Sequence, residues 1–219
     1  ALTLVLLLLS AASVMAAPNA GDKKHYEDCL SQAGLNAPMA FATATTWIKQ
    51  NGGPPAEHCA AVALVGMKRY SDGAARLDIL GHARGMGDLR PQLFDQAGNA
   101  WILAGETAKA IVSFQTALAL SANDPDIYAD LARAQAMQND WAAVEADLNA
   151  ALALQPKRAD LLVLRASARN AQNRFAEARS DVDAALKLSP ANADAMMERG
   201  SIKRDSGDLK GARADFQAT

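Results

Sequence analysis

The sequence predicts an all-α chain laid out as a row of helical hairpins. Three observations carry that prediction: the kind of apolar residue used, the spacing of the turn residues, and the want of strand alternation. Half of the 219 residues are hydrophobic, yet only 5% are aromatic and 50 are Ala. Ala is the best helix former and lets helix axes approach, whereas strands draw on β-branched and aromatic side chains. Gly105, Asn139, Asn173 and Gly207 stand 34 residues apart. Gly and Asn tolerate the left-handed conformation that closes a helix into a tight turn. From Asp22 onward no window alternates apolar and polar residues as a half-buried strand would.

The elements follow in chain order. Leu2 to Leu9 form an apolar run, small residues continue to Ala17, and no charge appears before Asp22. This reads as a secretory signal peptide over residues 1–17, cleaved after Ala16 or Ala17. Its basic leader is missing and the first residue is Ala, so the expectation is that a few residues precede it. About 17 apolar residues is at the short limit for a spanning helix, so the expectation is an exported protein, periplasmic or secreted, with no stable membrane anchor after cleavage. Helices are expected near 23–33, 37–50, 56–68 and 71–84, separated by Gly34, by Asn51 to Pro55, and followed by Gly85-Met86-Gly87. The two cysteines, Cys29 and Cys59, lack any C-x-x-C spacing. An even count in an exported chain reads as one disulfide. Two buried thiols, or a metal site using His25 and His58, are the alternatives.

From residue 91 the pattern is regular. The second helix of each copy begins Thr107, Trp141, Phe175 and Leu209, then carries Ala110, Val144, Ala178 and Ala212, and one turn later Phe114, Leu148, Val182 and Phe216. The first helix places Gly98, Ala132, Ala166 and Gly200 at its middle, which lets paired helices cross closely. Trp101 and Trp141 fall on core positions of this frame. Pro156 and Pro190 stop two of the copies. This period and order of sizes resemble the tetratricopeptide repeat. The resemblance covers residues 91–219 as copies 91–124, 125–158, 159–192 and a shorter 193–219, while 22–87 holds more divergent hairpins in which Tyr70, Gly73 and Leu77 repeat the second-helix spacing. Arg165 and Arg199 depart from the family's Leu, and Gln135, Arg169 and Lys203 from its Tyr.

The resemblance implies a right-handed superhelix whose first helices line a concave face, with Cys29 and Cys59 on neighbouring first helices at the N-terminal end. Carried over by position, the partner-binding groove comprises Gln92, Asp95, Asn99 and Ile102, then Asp126, Arg133, Asp160, Ser167, Asn170, Asp194, Ser201 and Arg204. The implied role is a non-catalytic scaffold or adaptor that holds a peptide or helix of another protein. An accessory region of an exported enzyme, with its catalytic domain beyond Thr219, is the alternative. The groove's Asp126, Asp160 and Asp194 favour a partner with basic character over an acidic tail.

Composition and motif agree with that class. Lys plus Arg number 22 against 24 Asp plus Glu, a net charge of −2, which sets aside a basic nucleic-acid binder. His25, His58 and His82 are isolated, and there is no H-E-x-x-H, no G-x-S-x-G and no phosphate-binding loop. No catalytic residue, cofactor or metal is expected. Asp124 is expected to cap a helix beginning at Pro125, and Asp181 and Asp183 to be solvated. The cations Arg165, Arg169, Arg199, Lys203 and Arg204 are expected to pair with Asp160, Asp194, Glu198 and Asp205.

Overall fold

The computed structural model describes residues 20–217, so the signal segment expected at 1–17 lies outside the described residues. Among the described residues there are twelve α-helices and no strand. They pair into six hairpins: α1 (Ala20–Leu35) with α2 (Ala37–Lys49), α3 (Gly53–Gly66) with α4 (Tyr70–His82), α5 (Arg90–Leu103) with α6 (Thr107–Leu120), α7 (Pro125–Ala136) with α8 (Trp141–Leu154), α9 (Ala159–Ala171) with α10 (Phe175–Leu188), and α11 (Ala193–Asp205) with α12 (Leu209–Gln217). Each hairpin stacks on the next, which makes the molecule a right-handed superhelical solenoid. None of these helices is long and apolar enough to cross a membrane.

The turns explain the period. Gly105, Asn139, Asn173 and Gly207 all have positive φ, as does Lys68 in the more divergent hairpin. The amide after each of them bonds back to the carbonyl five residues earlier, Glu106 to Trp101, Asp140 to Gln135, Arg174 to Arg169, Asp208 to Lys203 and Arg69 to Leu64. That closure satisfies a carbonyl the ended helix would leave open. Helix starts are capped by Asn36, Asp124, Asp140 and Asn192, whose side chains accept from backbone amides in the first turn. Between α4 and α5 the spacing widens from 34 to 37 residues. Gly85 and Gly87 at positive φ and a 3-10 turn at Gly87–Leu89 take up the difference and bury Met86.

Packing follows a size rule. A methyl group at Gly98 would sit 2.6 Å from Phe114 Cε1, and one at Gly200 would sit 2.6 Å from Phe216 Cε1. Where the first helix has Ala132 or Ala166 instead, the facing residue is the smaller Leu148 or Val182, and all four of these are buried. The core runs the length of the stack. One cluster extends from Ala61 through Phe94 and Phe114 to Ala134, crossing the wider junction, and a second runs from Ala129 to Ile202.

Two expectations about charge are overturned. Asp181 is buried at 4% exposure, while Asp183 is exposed. The Arg165 guanidinium forks onto Asp181 at 2.9 and 2.6 Å, and Arg169 Nη1 adds a third bond at 2.8 Å. Arg199 forks likewise onto buried Asp215 at 3.0 and 2.7 Å, joined by Lys203 at 2.7 Å. The cations therefore pair with carboxylates of the facing second helix, and only Arg204 takes an expected partner, Asp205. The physical reason is reach: the departures from Leu and Tyr lie on the hairpin's inner surface, where an unpaired guanidinium would be costly.

Candidate functional site

The first helices α5, α7, α9 and α11 carry all twelve residues expected in the groove. They are cross-linked to one another by polar side chains. Asn99 Nδ2 donates to Asp130 Oδ2 across α5 and α7 at 2.9 Å. Ser167 Oγ donates to Glu198 at 2.6 Å and Asn170 Nδ2 to Asp205 at 3.0 Å, both across α9 and α11. Arg158, the residue before α9, reaches Asp126 at 2.9 Å and Asp160 at 2.7 Å and so ties α7 to α9. Those bonds hold the Asp160 carboxyl below its ordinary value.

The remaining groove residues have different surroundings. Arg133 pairs with Asp130 at 2.5 Å. Gln92 lines a cavity with Tyr26, His58 and Met86. Ile102 is half-buried against the cluster that holds Trp101 and Leu131. Asp194 is exposed in the first turn of α11, and Ser201 is half-buried one turn before the exposed Arg204. Sequence reasoning missed Gln96, Asp130, Arg158, Glu198 and Asp205 as members of this face. Asp130 and Glu198 stand at equivalent places 68 residues apart, and that period was the available signal.

Asp95 sits among like charges. Its carboxylate has only Asn99 Nδ2 at 3.5 Å, and among the described residues no cation pairs with it. Burial, then the charges of Asp130, Asp124 and Asp126, push its pKa up to about 7. Burial also raises the pKa of Glu198 and Asp147, which have hydrogen bonds but no ion pair among the described residues. At Glu145, burial is outweighed by Arg169 and Arg174, which hold it below the usual range.

At the N-terminal end, Cys29 on α1 and Cys59 on α3 lie with sulfurs at bonding distance and Cα atoms 6.1 Å apart. Next to them Gln96 Oε1, which can only accept, lies 2.6 Å from His58 Nε2, so that nitrogen donates, and in the neutral ring Nδ1 then accepts from Tyr26 Oη at 2.5 Å. Burial pushes the His58 pKa down and the Tyr26 pKa up. His25 stacks on Trp47 with centroids 4.4 Å apart. Among the described residues no three His, Cys, Asp or Glu side chains converge as metal ligands would.

Trp101 is buried and its Nε1 donates to Asp78 at 2.7 Å, while Trp141 is half-buried against the second core cluster. Both rings therefore contribute to packing.

No protein-family model matches the chain, and no curated protein matches it. Solved structures do. The C-terminal part of a TPR repeat-containing protein from Cytophaga hutchinsonii superposes with a TM-score of 0.72 at 12% identity, over 90% of this chain and 76% of that one. MamA from Desulfovibrio magneticus RS-1, from residue 41 to its end, gives 0.66 at 16% identity, over 75% and 91%. The first TPR domain of Spaghetti (RPAP3), solved bound to the HSP90 peptide SRMEEVD, gives 0.52 at 24% identity, over 56% and 97%. Left-handed turns every 34 residues, helices crossing at small residues and these superpositions together give the chain the tetratricopeptide-repeat fold.

Proposed function

We propose that the protein is a non-catalytic scaffold that docks a peptide or helix of another protein on the face built by α5, α7, α9 and α11. The observation that carries this reading is the polar row of that face. Its side chains bond from one hairpin to the next, which fixes them in place before any partner arrives, and a preorganised surface loses less entropy on binding. The neighbour solved with an HSP90 peptide supports a peptide as ligand. That peptide carries two Glu and an Asp, however, and the present face offers Asp95, Asp126, Asp160 and Asp194. A carboxylate-rich tail meets repulsion here, so the ligand of this face is of the opposite charge.

The reading places the protein in an exported, oxidising compartment, such as a periplasm. The apolar leader and the cysteine pair support that placement. The divergent hairpins of residues 22–87 serve as its N-terminal cap, and 91–219 as the repeat array.

The test is a capture experiment from an extract of the exporting compartment, using the full chain and a variant carrying Asn99→Ala, Arg133→Ala and Asn170→Ala. A partner held by the wild type and lost by the variant, with unchanged helical circular dichroism, is the expected result. Capture of the same partner by both proteins moves the docking site off this face.

A further inference from the structure

The face is not uniform, and α5 divides it. Toward α1 and α3 lie two adjoining hollows of about 360 and 410 Å³ that share His58 and Gln96 as their partition. The first is walled by Tyr26, Pro54, Pro55, Met86 and Leu89, the second by Leu30, Val62, Val65, Leu77 and Leu103. Leu89 and Leu103 leave 61% and 57% of their surface in water at the rims. Because Gln96 Oε1 already accepts from His58, its amide nitrogen is left to donate to an incoming backbone carbonyl.

Toward α7 the chemistry reverses. Asp95, Asp124, Asp126 and Asp130 face one another there, with Arg133 on Asp130 and Arg158 on Asp126 as the two compensating cations. Four carboxylates against two guanidinium groups leave a local excess of negative charge, and Asp95 bears it without a counter-ion. A half-buried carboxylate in that state is relieved by an arriving cation. Leu89 is six residues from Asp95 along the chain, about 9 Å along the helix at 1.5 Å per residue. An extended peptide covers that distance in about three residues at 3.3 Å each.

We infer that this corner, granted the docking role proposed above, takes an extended partner segment in which a Lys or Arg stands about three residues from a large apolar side chain. The apolar side chain enters the hollow beside the His58 and Gln96 partition, and the cation settles against Asp95 and Asp130. A shape match alone would accept any apolar segment, and the charge selects the basic ones.

The experiment is an array of nine-residue peptides with a central Leu or Phe and with Lys, Arg, Ser or Asp at every other position, probed with the full chain at pH 8 and pH 6. The expected result is at least a fivefold preference for Lys or Arg over Ser about three positions from the centre, and rejection of Asp. Asp95→Asn abolishes that preference while retaining binding through the apolar residue. Leu89→Glu and Leu103→Glu, at exposed rims where they leave the fold intact, weaken all peptides about tenfold. The preference for base strengthens as pH rises through about 7 in the wild type and is flat in Asp95→Asn. The groups facing Asp95 are Asn99 of α5, Asp124 at the cap of α7, and Asp126 and Asp130 of α7 with its Arg133; His58, across α5, has its pKa lowered by burial. Binding without charge preference, a basic preference that survives Asp95→Asn, or unchanged binding by the rim variants overturns this inference and leaves the docking face standing. An array on which no peptide binds overturns this inference, and the capture experiment above then decides the docking face by itself.

Discussion

At the scale of single residues, the hairpins are held by matched volumes and matched charges sixteen positions apart. Gly98 faces Phe114 and Gly200 faces Phe216, so a methyl group forces the ring to move in each case. Gly98→Ala is expected to destabilise by about 1–3 kcal/mol, the ordinary cost of overpacking. Gly200→Ala should cost less, because Phe216 is 39% exposed where Phe114 is fully buried. Urea denaturation of both variants checks the order, and Phe114→Leu added to Gly98→Ala should recover part of the loss. Asp181 supplies the charge version. Asp181→Ala takes three bonds from two half-buried guanidinium groups, leaving Arg165 with Asn149 and Arg169 with Glu145, for an expected loss of about 3 kcal/mol, whereas replacing Asp181, Arg165 and Arg169 together by apolar residues should be near neutral or stabilising. The sequence made the volumes legible and hid the charges. An Asp on a second helix reads as solvated when taken alone, and only its partner sixteen residues back, Arg165 where the preceding copy has Leu131, marks it as buried. Asp95 gives a prediction in pH. Its folded pKa, about 7, lies above its unfolded value, so the stability tied to its neutral form is present below pH 4 and lost as pH rises through 7. Asp95→Asn should therefore stabilise the protein at pH 8 by about 1 kcal/mol, after discounting for solvent screening, and hardly at all at pH 4.

At the scale of elements, the turns were the most legible feature. A left-handed residue every 34 positions needs Gly or Asn, and those residues stand there in the regular copies. Lys68 occupies the corresponding place between α3 and α4 with φ of 61°. A side chain other than Gly or Asn is strained in that region, so Lys68→Gly is expected to raise stability by about 0.5–1 kcal/mol, read as a shift in thermal midpoint. The same Lys explains why the divergent hairpin was harder to align by its turn and had to be found through Tyr70, Gly73 and Leu77. The polar ties between first helices were not legible, because Asn99 to Asp130 and Ser167 to Glu198 join different hairpins and follow neither helical nor strand spacing. α1 and α3 are joined across 30 residues of chain by the cysteine pair. In the chain-entropy account, closing such a loop contributes about 3.5 kcal/mol. Replacing both cysteines by Ala should lower amide protection in α1 and α2 first and leave α9 and α10 unchanged.

At the scale of the whole molecule, the core is a line with no centre. Each hairpin buries its apolar face against its neighbours only, so stability is a sum of local terms and loss of one hairpin leaves the others folded. The hairpins are not tied alike. α1 is bonded to α3, while Leu209 at the start of α12 keeps 68% of its surface in water. Amide protection measured along the chain should fall in α1 once the cysteines are reduced. A stack of this kind behaves as a zipper, and the bond between Cys29 and Cys59 is a stitch across two of its neighbouring hairpins. Opening that reaches this part of the stack halts at the stitch, so the hollow that α1 and α3 share with α5 keeps its shape while hairpins farther along the row loosen and close.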